Sequence, residues 1–202
     1  MRLYDKYKKI LFGIIILALP AIGETSLNTL LGMADTLMIS HFIGTDALAG
    51  VGFTNQIVMM LIFIFTSFNI GATALVSRNY GKQDYNALNK IAGQTVVING
   101  CLGIIITTLG MLFKEQIFNI YDLSPEVREI ALTYFVIIIV SGIFMFLSFS
   151  FAAILRGSGD TKTPMYITGF ANLFCGYLHL WALPGVGPFP QMGPAGAALS
   201  TT

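Results

Sequence analysis

The sequence predicts an all-α, polytopic membrane protein, and three observations carry that prediction. Hydrophobic residues make up 55% of the chain and charged residues 10%, where a soluble domain carries roughly 25% charge. Mean hydropathy is +0.76. The charges are also bunched into short segments, so that the stretch from Ala47 to Ser77 holds no Asp, Glu, Lys or Arg at all. About 20 apolar residues cross the hydrocarbon core as a helix. Several such runs follow one another.

The basic N-terminus MRLYDKYKK leads into an apolar run that superficially resembles a signal peptide, yet no small-residue cleavage site follows before the hydrophobic pattern resumes. It reads as a retained first helix, about residues 9–40. A second, long and tilted span covers 47–77 and ends at the polar loop from Arg78 to Tyr85. A third covers 86–113. After the loop containing Lys114 and Glu115, Ser124 and Pro125 form an N-cap and first-turn pair that opens a fourth helix over 125–155. The segment from Arg156 to Pro164 breaks it, and 164–183 is a fifth span. A turn rich in Gly and Pro follows. Residues 194–202, rich in Gly and Ala, read as the start of a sixth helix.

Loop charge orients these spans. Arg2, Lys6, Lys8, Lys9, Arg78, Lys82, Lys90, Arg156 and Lys162 fall on the N-terminal side, against Lys114 and Arg128 on the other, which puts the N-terminus in the cytoplasm. The sixth helix would then stop in mid-membrane, so the sequence is expected to be a fragment of a longer chain. Cys101 and Cys175 both lie in apolar runs, which supports neither a disulfide framework nor a zinc ribbon.

Two acids, Glu24 and Asp35, fall well within a span. Their separation returns them to within roughly 20° of one direction, about 16 Å apart along the axis, with Asn28 on the same face. An acid at the bilayer centre costs on the order of 3 kcal/mol, so each needs a partner or a task. Asp35 is the candidate for binding a proton or cation, since desolvation makes its protonation near neutral pH possible. Glu24 is equally well explained as support for the helix around Pro20, whose missing N–H bends it. On the fifth span Asn172, Cys175 and His179 share a face. For His179 a buried, hydrogen-bonded imidazole competes with a proton relay. A metal at Cys175 and His179 is disfavoured, because no other Cys or His faces them at a known spacing. The loops after Arg78 and Arg156 read as helix caps rather than phosphate cradles. Serine-nucleophile and metalloprotease motifs are absent from the spans, which argues against an enzyme.

Taken together, the loops and acids resemble the multidrug and toxic compound extrusion (MATE) family. The pieces that carry the resemblance are LALPA (Leu17 to Ala21), GMADTLMIS around Asp35, GTDALAGVG (Gly44 to Gly52), NIGATALVSRNYG (Asn69 to Gly81), LRGSGDTKTPM (Leu155 to Met165) and GPAGAALST (Gly193 to Thr201). They occur in order along nearly the whole chain. The resemblance is to the first of the family's two six-helix lobes, up to the start of the sixth helix, so the C-terminal lobe would be a partner absent from this sequence.

The resemblance implies a multi-pass cell-membrane antiporter that exports organic, often cationic drugs through alternating access, with no cofactor, no nucleic-acid partner, and H⁺ or Na⁺ as coupling ion. Asp35 matches the family's first-helix aspartate that binds that ion, Pro20 matches a hinge proline, and Thr201 matches a sixth-helix hydroxyl near the same cavity. Where many relatives carry Asn followed one turn later by Asp, this chain has Cys175 and His179, with Asn172 as a polar neighbour. Sodium prefers oxygen ligands, so the departure favours H⁺. Two other readings stand beside it. One is a lipid-linked precursor flippase of the same superfamily, which needs a charged central cavity, whereas only acids lie within these spans. The other is a non-transporting scaffold subunit.

Overall fold

The computed structural model describes residues 2–42, 45–121 and 123–182. They form α1 (Arg2–Phe42), α2 (Thr45–Gly81), α3 (Tyr85–Asn119), α4 (Pro125–Gly157) and α5 (Lys162–Ala182), and no strand occurs among them. The start of a sixth helix expected at 194–202 lies outside the described residues.

The helices outrun the apolar windows because caps, not charges, end them. Lys114 and Glu115 are absorbed into α3. Asp84 opens α3 by accepting from the Ala87 N–H at 3.0 Å, and Ser124 opens α4 by accepting from Val127 at 3.4 Å. Such caps satisfy N–H groups that have no partner inside the helix. α4 closes as Ser158 N–H returns to Ile154 O, with Gly159 at φ +88°, where a side chain would be strained. Among the described residues, α1 to α4 contain stretches long and apolar enough to cross a membrane. α5 is a helix of 21 residues with Thr168 and Asn172 in its run.

Packing divides the helices into two groups. α4 is central, with 39% of its apolar stretch buried against 6% for α1. It runs along α2 and α3, and α1 pairs mainly with α5. Contact between the α2–α4 bundle and the α1/α5 pair is sparse.

Close approach of α2 to α4 depends on glycine at both ends of the seam. A Cβ on Gly50 would stand 3.0 Å from Val127 O, and one on Gly157 would stand 2.8 Å from Val76 Cβ and 2.9 Å from Thr73 O. Between them Thr54 Oγ1 donates to Ala131 O and Thr73 Oγ1 to Ala153 O, each at 3.1 Å. Phe65 stacks on Phe146 with centroids 3.6 Å apart. Small residues and hydroxyl bonds suit helices that gain little from expelling water. The outer faces carry Phe12, Leu19, Phe63 and Phe170, all well exposed, as lipid contact requires.

Candidate functional site

The sparse seam between the two helix groups holds a cleft whose mainly apolar walls carry a few polar side chains. Asp35 lines a cavity of about 1150 Å³ together with Asn28, Thr36, Asn55, Tyr134 and Met145. A second cavity of about 740 Å³ is lined by Glu24, Asn69, Thr73, Arg156 and Thr168. Thr25, Asn28 and Ser148 line both, so the cavities adjoin at that rung. The face predicted for Glu24, Asn28 and Asp35 is therefore the face that borders the cleft.

From α5, Asn172 Nδ2 donates to Asn28 Oδ1. Cys175 is partly buried beside Gly176, which faces Leu31 of α1. Of the expected site residues, Asn28 and Asn172 are thus joined across α1 and α5, and Asp35 and Cys175 stand on the same two helices. Thr201 and the side chain of His179 lie outside the described residues. α1 continues helically through Pro20.

Glu24 has a partner that the residue pattern does not disclose. Arg156 Nη2 donates to its Oε1 at 2.7 Å, and Thr168 Oγ1 reaches the same oxygen at 3.3 Å. The Glu24 side chain is 10% exposed and that of Arg156 39%. Only acids are expected within the spans; Arg156, in the last turn of α4, adds a cation to the cleft wall while its side chain stays partly exposed. A buried acid without a cation nearby in sequence was the available signal, because such an acid demands a partner from elsewhere.

A second polar group escaped the sequence. In the α2–α4 bundle Asn99 Nδ2 donates to Asn69 Oδ1 at 2.9 Å and to Ser150 Oγ at 2.6 Å, with Asn99 and Ser150 fully buried. Among the described residues, Asn69 Nδ2 and Asn99 Oδ1 have no hydrogen-bond partner. Outside the membrane-crossing segments, Asp160 is held below its usual carboxylate range, first by the Thr163 hydroxyl at 2.6 Å and then by the Thr163 N–H at 3.0 Å. This carboxylate organises the turn that starts α5.

A family match under the description MatE covers residues 20–179, a range that takes in Glu24, Asp35, Arg156 and Asn172. The chain belongs to the MatE family. This MatE chain is 35% identical over 189 residues to "Probable multidrug resistance protein NorM" of Thermotoga maritima, covering 92% of this chain and 40% of that one. It is 27% identical over 176 residues to "Probable multidrug resistance protein YoeA" of Bacillus subtilis, covering 87% and 37%. In structure it is similar to an outward-facing multidrug resistance MATE family transporter, with a TM-score of 0.87 at 23% identity over 94% of this chain and 41% of that one. The chain thus spans about 40% of the length of the relatives it matches. The relatives are transporters, not enzymes, and a multi-pass membrane protein is what the apolar helices of this chain also require.

Proposed function

We propose that the chain is the N-terminal lobe of a cation-coupled exporter of organic, often cationic drugs that works by alternating access, with its N-terminus in the cytoplasm and Asp35 as the coupling group. The observation that carries this reading is the position of Asp35 in the wall of a cavity of about 1150 Å³. One carboxylate among methionines, aromatic rings and hydroxyls suits an amphiphilic cation. Proton or sodium binding at Asp35 and drug binding would favour different conformations. Exchange follows from that difference.

H⁺ is favoured over Na⁺ by the residue types, since Cys175 and His179 stand on α5 where many relatives carry Asn and Asp, and a thiol or imidazole is a poor ligand for a cation that prefers oxygen. Asn172, Cys175, His179 and Thr201 are proposed to share in the coupling with Asp35, Glu24 and Asn28 to form the supporting polar face, and Pro20 to act as the hinge. Drug efflux driven first by an imposed proton gradient and then by an imposed sodium gradient tests the coupling. Dependence on sodium alone would sink it.

One observation favours the flippase reading, namely the cation of Arg156 in the cleft wall. That cation is already matched by Glu24. An anionic headgroup would have to separate the two.

A further inference from the structure

The ion pair between Glu24 and Arg156 crosses the one seam of the fold that is otherwise thinly packed. It joins α1 to α4, whereas the direct packing of α1 is mainly against α5. Its two ends are unlike. Glu24 is anchored in mid-helix, nearly buried, and steadied by Thr168 from α5. Arg156 sits at the end of α4 on a long, partly exposed arm, and such a side chain can swing between partners.

We infer that Glu24 is a second cation station, at which an organic ammonium or iminium cation takes the place of the tethered guanidinium of Arg156. A buried carboxylate stripped of its counter-ion is strongly disfavoured, so Glu24 releases Arg156 only to another positive charge. Exchange keeps the charge count of the cleft constant. The adjoining cavity of about 740 Å³ is large enough for a drug-sized cation, and Phe149 and Phe151 on its wall can face a cation with their rings. The shared rung at Thr25, Asn28 and Ser148 leads from this station to the cavity of Asp35. The inference rests on the proposal that the protein carries organic cations.

The test is a fluorescence titration of the purified full-length protein with ethidium, an organic cation. Arg156→Gln removes the tethered competitor and is expected to tighten binding about tenfold, whereas Glu24→Gln is expected to weaken it about tenfold. The double variant should match Glu24→Gln alone. Added methylguanidinium should compete with ethidium more strongly in Arg156→Gln than in the unaltered protein, since it refills the vacated partner position. Ethidium affinity unchanged in a folded Arg156→Gln protein would overturn the inference and leave a purely structural ion pair. If that variant does not fold, Arg156→Met, which keeps the length of the arm without its charge, serves instead, and unchanged ethidium affinity in it would overturn the inference equally. Asp35→Asn, carried through the same titration and through an efflux assay, separates the two readings. Loss of coupled efflux with the Glu24 response intact supports both, and unimpaired efflux counts against the role of Asp35 alone.

Discussion

Asn172 on α5 donates its amide N–H to the amide oxygen of Asn28 on α1, and this bond lies between the level of Glu24 and the level of Asp35. It ties the two helices that form one wall of the cleft. A polar bond between membrane helices contributes about 0.5–2 kcal/mol. Asn172→Leu should therefore destabilise the detergent-purified protein by that order and lower its thermal midpoint, and Asn28→Leu/Asn172→Leu should recover part of the loss, since no amide is then left without a partner. Fluorescence-detected size-exclusion melts would read it. Recovery of stability without recovery of efflux would mark the pair as part of the cleft's working surface.

Asp35→Asn keeps the shape of the side chain and removes its charge. Coupled efflux should fall to the level of the empty membrane while the amount of protein in the membrane stays near normal. Drug-resistance assays alongside immunoblots check both, and resistance equal to the unaltered protein would refute the role given to Asp35.

The Asn69, Asn99 and Ser150 group is a structural contrast. Asn99→Ala removes the donor to both neighbours and leaves a buried oxygen on each side without its bond, a loss of about 1–3 kcal/mol. The thermal midpoint should drop, and the choice between H⁺ and Na⁺ should not move.

Gly157→Ala should be more damaging than its size suggests. The added methyl meets Val76 at 2.8 Å and the Thr73 carbonyl at 2.9 Å. The second of these is backbone and cannot turn aside. Overpacking of this kind costs about 1–3 kcal/mol, and Gly100→Ala, whose nearest neighbour would be Leu147 at 3.7 Å, is the matched control.

Asp160 gives a pH test outside the membrane. Its carboxyl is held below the ordinary value of 3.8 by the hydroxyl and N–H of Thr163, so its contribution is complete above the unfolded value and disappears as pH falls through the folded one. The α4 to α5 turn should loosen below about pH 4. Hydrogen exchange at Thr163 checks this. Asp160→Asn should flatten the dependence, and Thr163→Val should move it to higher pH.

Among the described residues, the five helices and the face shared by Glu24, Asn28 and Asp35 were legible in the chain. Lipid leaves backbone groups no partner but one another, so uncharged runs of sufficient length become helices, and a helix repeats its faces with a fixed period. Helix ends were less legible. Lys114 and Glu115 read as loop but lie in α3, because a charged residue at the membrane edge does not stop a helix, whereas Asp84 and Ser124 do mark the starts that their caps secure.

What the tertiary structure alone decided was which side chains meet. The partner of Glu24 stands at Arg156, and nothing local to either residue points to the other. Asn99 meets Asn69 and Ser150 for the same reason: three helices converge on one level. Periodicity determines where a residue stands on its own helix. The direction from which a counter-ion arrives depends on how α4, α1 and α5 are set side by side: Gly50 and Gly157, the latter next to Arg156 in the chain, seat α4 against α2, and Thr168 of α5 meets Glu24 of α1 beside the guanidinium of Arg156.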